Sequence, residues 1–127
     1  MARFVNVVRT NLASGQLNNV GGRTPLIAGT SNTSGIPNGN YAVIIGLLTA
    51  NKNVNTRTLS LEIIPSGTTV TGVLLNQVNI PNNTSLEVIE GDKIILNAGD
   101  TLNGYSNSAN DLDVQVSYML NEQDDLI

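Results

Sequence analysis

Hydrophobic and polar residues alternate along several stretches of this chain. Every second residue from Leu112 to Leu120 is apolar, and the stretches 58–63 and 85–88 show shorter versions of the same pattern. Neighbouring side chains of a β-strand point to opposite faces of its sheet, so such a stretch places one apolar set against a core. No stretch of useful length has the 3.6-residue repeat of an amphipathic helix. The pattern therefore predicts strands.

Turn-forming residues separate these stretches at intervals of about 8–14 residues from residue 40 onward, among them Pro81-Asn82-Asn83, Glu90-Gly91-Asp92 and Ala98-Gly99-Asp100. This rhythm predicts an all-β fold: an antiparallel β-sandwich, jelly-roll or immunoglobulin-like, with an extended N-terminal segment. In the first strand, Val5 and Val7 alternate with Phe4 and Val8, so we expect both of its faces to be partly covered. Nine strands are predicted, at 3–10, 24–28, 40–50, 56–64, 70–79, 84–89, 92–97, 100–106 and 111–120.

The length of 127 residues suits one domain. We predict an N-terminal strand plus polar loop or arm at 1–39, a sandwich body at 40–120 and an acidic C-terminal tail at 121–127. The first residues lack the continuous apolar region of a signal peptide. The longest apolar stretch, 42–50, is too short to cross a bilayer, so no membrane partner is expected.

Aromatic residues make up only 3% of the chain and Trp is absent, so the core must consist of Val, Ile and Leu. Charged residues reach 13%, about half the usual share. Asn occupies much of the remaining surface. Neutral polar side chains lose little on contact with another protein, whereas Lys and Glu are depleted at interfaces. This composition favours a protein that is assembled against other proteins.

The residue types that catalysis most often uses are missing. The chain has no His and no Cys, which removes the usual general base, the usual thiol nucleophile and the commonest transition-metal ligands. No nucleophile elbow, phosphate-binding loop or dinucleotide fingerprint is present. We therefore predict that the protein is not an enzyme, that it has no catalytic residues and that it needs no cofactor. Nucleic acid is not an expected partner at a pI near 4.4.

Four carboxylates in the second half of the chain are the only candidates for a metal site. Hard cations such as Ca²⁺ prefer carboxylate and carbonyl oxygens, but the spacing fits no known calcium-binding loop. The alternative is solvated loop acids that form local turns. We predict no metal site and keep as weak candidates Asp92, Asp100, Asp111 and Asp113.

Charge is divided unequally along the chain. Residues 1–61 contain five basic residues and no acid, whereas residues 62–127 contain all ten acids and a single Lys, a net charge of −9. Such polarity can steer head-to-tail docking. The alternative is that strands of the two halves interleave and the charges largely cancel.

Three motifs in the second half suggest a family. They are I-P-x-x-x-S-L from Ile80, L-x-A-G-D-x-L from Leu96 and S-A-x-x-x-D-V-x-x-S-Y from Ser108. With these motifs, residues 40–120 resemble small β-sandwich structural proteins of tailed bacteriophages of the marine and cyanobacterial type. The resemblance implies a virion component made in the host cytoplasm, most simply a capsid decoration or cement protein. It transfers no catalytic residue.

The resemblance implies that the protein binds between major capsid protein subunits and stabilises the head. Expected partners are the major capsid protein, other copies of itself, or both, and we expect a homo-oligomer, with three copies as the first guess. A neck, tail or fibre module is the alternative, and a ligand-binding β-sandwich is a third possibility. The candidate partner-binding residues lie in the two terminal parts: Arg3, Phe4, Arg9, Arg23, Asp124 and Asp125.

Overall fold

Eight β-strands lie within the residues that the computed structural model describes, 2–15, 24–27, 41–65 and 71–121. They form two four-stranded antiparallel sheets. The strands are β1 (Ala2–Arg9), β2 (Thr24–Ile27), β3 (Tyr41–Asn51), β4 (Arg57–Ile64), β5 (Gly72–Ile80), β6 (Ser85–Asn97), β7 (Thr101–Ser106) and β8 (Leu112–Asn121). Sheet A has the order β1-β8-β3-β6 and sheet B the order β2-β7-β4-β5.

The pairing of the strands is nested. Strand β4 pairs with β5, β3 with β6, β2 with β7 and β1 with β8. One long hairpin wound into two sheets gives this order, which is that of a jelly roll. The predicted antiparallel β-sandwich is confirmed, and of the two kinds expected the strand order matches the jelly roll. None of the described residues belongs to a helix that is long and apolar enough to cross a membrane.

The core between the sheets is aliphatic, as the scarcity of aromatic residues predicted. Strand β8 directs its alternate residues inward from Leu112 to Leu120, and only Tyr118 among them is aromatic. The other buried members of the core are Val7, Leu12, Leu26, Ile27, Ala42, Ile44, Leu47, Leu59, Leu61, Ile80, Ile89, Leu96 and Leu102.

The prediction of separate strands at 84–89 and 92–97 is wrong, because β6 runs without a break from Ser85 to Asn97. The Glu90-Gly91-Asp92 segment was expected to turn the chain. It lies instead at an irregularity of the pairing, where Ile44 faces Ile94 but Gly46 faces Glu90. The long strand β3 offers hydrogen-bonding groups on both sides of this point, so β6 continues along it. A β-bulge, rather than a turn, accommodates the extra residues.

Strand β3 has a bulge of its own against β8. Ile44 pairs with Tyr118 and Gly46 with Ser117, so that Ile45 is an extra residue. The bulge keeps Ile44 and Leu47 in the core and places Ile45 on the outer surface of sheet A, where it is exposed.

Two strands that precede residue 40 belong to the sheets. Strand β1 pairs with β8 over its whole length, and β2 pairs with β7. Beyond β1, the fully buried Leu12 donates its backbone N–H to the carbonyl of Leu112 at 2.9 Å. The division at residue 40 stays a prediction, but residues before it help to build the sandwich.

The expectation that both faces of the first strand are partly covered is wrong. Val7 is buried, whereas Phe4 is 76% and Val8 57% exposed. The alternation of β1 places Phe4 and Val8 on the outer face of sheet A, where both are exposed, so only the face that carries Val7 meets the core.

The nested order explains what becomes of the unequal charge. Every pair of neighbouring strands joins one strand from β1–β4 with one from β5–β8. The basic half and the acidic half of the chain are therefore interleaved across both sheets. Lys52 pairs with Asp113 at 2.9 Å, and Arg57 pairs with Asp111 at 2.7 Å. Of the two alternatives left open by the sequence, interleaving describes the fold.

Candidate interaction surface

An apolar row crosses all four strands on the outer face of sheet A. Phe4 on β1 faces Met119 on β8, Met119 faces Val43 on β3, and Val43 faces Ile95 on β6. Met119 and Val43 are half-buried by their neighbours. Phe4 and Ile95, at the two ends, are 76% and 57% exposed. We call these four residues the apolar row.

Further apolar side chains widen this surface on the side of β3. Ile45 and Leu48 are exposed, and Val8 lies in line with Leu48 across Gln115 of β8. Gly46 has no side chain, and a shallow depression of about 300 Å³ lies beside it. Solitary apolar residues are common on protein surfaces, but a contiguous set marks a site of interaction.

The outer face of sheet B differs sharply from that of sheet A. By the alternation of β4 and β7, the side chains that point away from the core are polar or aromatic, yet they are buried: Ser60, Glu62, Asn103 and Tyr105. Strands β4 and β7 are thus covered on both faces. The outer face of β5 is more open, because Val73, opposite Glu62, is 44% exposed, so the cover on sheet B is shown for β4 and β7.

Polar pairs border the apolar row on both sides. On one side, the Ser117 hydroxyl donates to the Asn6 side-chain oxygen at 2.6 Å. On the other side, the Asn121 amide donates a hydrogen bond to the Tyr41 hydroxyl. These side chains already have partners within one molecule, so a second protein could approach the row without leaving them unpaired.

Two ion pairs hold the loops together at one end of the sandwich. Arg57 Nε lies 2.7 Å from Asp111 Oδ2, and Lys52 Nζ lies 2.9 Å from Asp113 Oδ1. Lys52 also donates to the side-chain oxygen of Asn11 at 2.5 Å. The segment after β1, the β3–β4 loop and the β7–β8 loop meet here. We call this the ion-pair end.

The charges at this end shift the acidity of both carboxylates. The hydrogen bond from the Arg57 guanidinium lowers the pKa of Asp111 below its ordinary value of 3.8, and partial burial opposes that effect. For Asp113, burial acts to raise the pKa, but the Asn11 backbone N–H and the Lys52 ammonium outweigh it, so the pKa is lowered. Both groups are therefore better ionised in the folded protein than in the unfolded chain.

The Asp111 pair gives a prediction for acid unfolding. Because its folded pKa is lower than its unfolded value of 3.8, the stabilisation is fully present above about pH 4 and is lost as the pH falls through the folded pKa. We expect the free energy of unfolding to fall less steeply between about pH 5 and pH 2 in Asp111→Asn than in the wild type. Urea unfolding at a series of pH values measures the two slopes. Parallel curves would show that Asp111 is not a source of the acid sensitivity.

The three metal candidates whose side chains the structure describes are not brought together at one site. Asp111 and Asp113 form the ion pairs just described, and Asp100 is buried in the β6–β7 turn, where its Oδ2 accepts the backbone N–H of Asn97 at 2.9 Å. The side chain of Asp92 lies outside what the structure describes. Within residues 2–15, 24–27, 41–65 and 71–121, no three acidic groups are close enough to hold an ion.

The partner-binding candidates are placed unevenly. Phe4 heads the apolar row. Arg9 ends β1, and its guanidinium donates to the Val8 carbonyl at 3.4 Å. The side chain of Arg3, and all of Arg23, Asp124 and Asp125, lie outside the described residues, so their roles stay predictions.

Sequence reasoning missed Met119, Val43, Ile45 and Ile95. A signal for them exists, because Val43-Ile44-Ile45 and Ile94-Ile95-Leu96 are continuous apolar runs. The sequence of a strand that is apolar on both faces is a continuous apolar run, whereas in a strand with one solvated face apolar and polar residues alternate. The runs thus indicated a second apolar face on β3 and β6, although not which face would be open.

A cleft of about 480 Å³ lies at the sandwich edge where β5 and β6 run side by side. Leu61, Leu75 and Ile94 line it, with Glu87 among the wall residues. The apolar row, which crosses all four strands of sheet A, is the better-defined surface.

Comparison of the chain with family models, with curated proteins and with solved structures gives no match.

Proposed function

We propose that this protein is a non-enzymatic structural component of a phage virion, a capsid decoration or cement protein that stabilises the head by binding assembled capsid protein. The observation that carries its assembly role is the open apolar face of sheet A, which fits contact with the capsid protein or with another copy of the chain, whereas sheet B is covered over β4 and β7. Exposure of these apolar side chains to water costs free energy, and contact with another protein removes that cost. The phage assignment rests on the sequence resemblance of residues 40–120.

The proposed mechanism is stabilisation by mass action. A protein that binds the assembled capsid, but not the separate subunits, lowers the free energy of the assembled state at every site it occupies. The rigid jelly roll supplies a body of fixed shape. The terminal segments, with Arg3, Arg23, Asp124 and Asp125, would supply contacts to the capsid protein.

The first test is where the protein occurs and in what amount. Mass spectrometry of purified particles measures its ratio to the major capsid protein. A fixed ratio with many copies per particle supports the decoration role. A few copies confined to one vertex would instead point to a neck or tail module, and absence from particles would contradict a virion role.

A second test concerns the acidic tail. Removing residues 122–127 leaves all eight strands in place, so we expect the shortened protein to fold with an unchanged melting temperature but to sediment less with assembled heads. Binding of both proteins to unassembled capsid protein serves as the control. Normal binding of the shortened protein to heads would remove Asp124 and Asp125 from the contact. Deletion of residues 1–20 is less informative, since it removes β1 and the buried Leu12.

A further inference from the structure

We propose that a second copy of this chain covers the outer face of sheet A, so that two copies pack face to face through the apolar row. The inference rests on the proposed assembly function and names one of its partners. It requires no residue from outside the described sheet.

The face is large enough for a specific interface. The face is four strands wide, with about 4.8 Å between neighbouring strands, and about 25 Å long, measured along β3 from Tyr41 to Leu48. Its flat area is therefore roughly 500 Å². Two copies together cover about 1,000 Å² before the relief of the side chains is added, which reaches the lower limit for a specific protein interface.

Symmetry makes the apolar row complementary to itself. A two-fold axis that runs parallel to the strands, between β8 and β3, places β1 of one copy over β6 of the other. Phe4 then meets Ile95 of the second copy, and Met119 meets Val43. Each contact occurs twice, as in every two-fold interface. A partner of another sequence would have to provide its own matching apolar row.

The described residues at the centre of the face carry no charge that opposes this approach. All four residues of the row are uncharged, and the polar side chains that border it, Asn6·Ser117 and Tyr41·Asn121, are hydrogen-bonded within each copy. Two identical faces therefore meet without placing like charges together at the centre, where repulsion is most costly. Glu87, the nearest described carboxylate on this face, lies one row beyond Ile45, towards the ion-pair end. A face that closes on itself gives two copies, rather than the three that we expected from the sequence.

The test is the oligomeric state of the full chain, measured by sedimentation velocity over a range of concentrations. We expect the wild type to be a dimer. Phe4→Asp and Ile95→Asp each place two carboxylates in the interface, and we expect each to weaken dimerisation by at least about 100-fold. Val54→Asp is the matched control. Val54 is as exposed as Phe4 but lies in the β3–β4 loop, off the face, and its variant should remain a dimer.

A mixing experiment tests the position of the axis. In a mixed dimer of Phe4→Lys with Ile95→Asp, the ammonium of one copy faces the carboxylate of the other, and the second contact keeps its native Phe4 and Ile95. We expect the mixture to dimerise at least about tenfold more tightly than either variant alone. No gain on mixing would overturn the proposed axis. Melting temperatures of all variants establish that they fold, since each change is at an exposed position.

The inference is overturned if the wild type is a monomer or trimer, or if Phe4→Asp and Ile95→Asp remain dimers. Sedimentation with assembled heads, run in parallel, separates this failure from failure of the proposed function. A monomer that binds heads would contradict the dimer alone. A dimer that depends on the apolar row but does not bind heads would contradict the capsid role alone.

Discussion

Asn51→Asp is expected to lower the free energy of unfolding by about 4 kcal/mol, although it exchanges one NH₂ group for an oxygen of similar size. Asn51 is the last residue of β3 and is buried. Its side-chain Nδ2 donates to the carbonyl oxygens of Asn55 and Ile80, at 2.9 and 3.0 Å. Its Oδ1 accepts the backbone N–H of Asn53 at 2.8 Å. One side chain thus fastens the β3–β4 loop to the end of β5.

Aspartate at this position keeps the acceptor and loses the donor. A carboxylate oxygen would then face two carbonyl oxygens in a site closed to water, and burial of an unpaired charge costs more than loss of a neutral hydrogen bond. All buried side-chain nitrogen and oxygen atoms of the described residues have a partner in the wild type. The change would therefore break a fully satisfied arrangement.

Urea unfolding at neutral pH measures the effect. Asn55→Asp is the matched control, because residue 55 is exposed in the same loop and contributes its backbone to these contacts. We expect it to change the free energy of unfolding by less than about 0.5 kcal/mol. Asn51→Ala, which loses the hydrogen bonds without adding charge, should fall between the two. Equal stability of Asn51→Asp and Asn55→Asp would contradict the role given to the Asn51 amide.

Gly104→Val is expected to lower the free energy of unfolding by about 2 to 3 kcal/mol. Gly104 is buried in β7, directly opposite Leu61 of β4. A Cβ atom there would lie 3.3 Å from Leu26 Cδ1 and 3.5 Å from Leu61 Cδ2. Valine adds two methyl groups beyond that atom. Both leucines are fully buried, and Leu26, the nearer of the two, can give way only by displacing its own packed neighbours.

The same substitution at Gly46 is the control. A Cβ atom on Gly46 would have its nearest neighbour, the Ile89 carbonyl oxygen, at 3.9 Å, which is an ordinary contact. We expect Gly46→Val to change the stability by less than about 1 kcal/mol. Thermal or urea unfolding of both variants provides the comparison. If Gly104→Val were as stable as Gly46→Val, the space between Leu26 and Leu61 would be larger than the structure indicates.

The alternation of β8 shows why the fold class could be predicted. Every second residue from Leu112 to Leu120 is buried as expected, because a strand beside a core must place its apolar side chains on one face. The turns at Pro81-Asn82-Asn83 and Ala98-Gly99-Asp100 were also correctly placed, and Gly99 has the positive φ of 84° that favours glycine. Local rules suffice for such features.

Where the prediction failed, the cause lies in partners distant along the chain. Glu90-Gly91-Asp92 reads as a turn by itself, but β3 pairs on both sides of it and the strand continues. Likewise, no local property of Phe4 indicates that it lines up with Met119, Val43 and Ile95. That alignment depends on the register of three strand pairs, which the single sequence does not specify. Candidate carboxylates such as Asp111 and Asp113 were found by residue type, but their basic partners were not.

The nested strand order also determines when the fold can be completed during synthesis. The hairpin of β4 and β5 is local and can close early, whereas β1 must wait for β8, the last of the eight described strands to be synthesised. Strand β8 also separates β1 from β3, so sheet A has no continuous face until residue 121 has emerged. Such long-range pairing closes slowly, since the entropy of a large loop is lost before its contacts form. The apolar row, divided among β1, β8, β3 and β6, therefore forms only after β8 has been made, and a chain that stops before β8 has no assembled surface by which to join its partners.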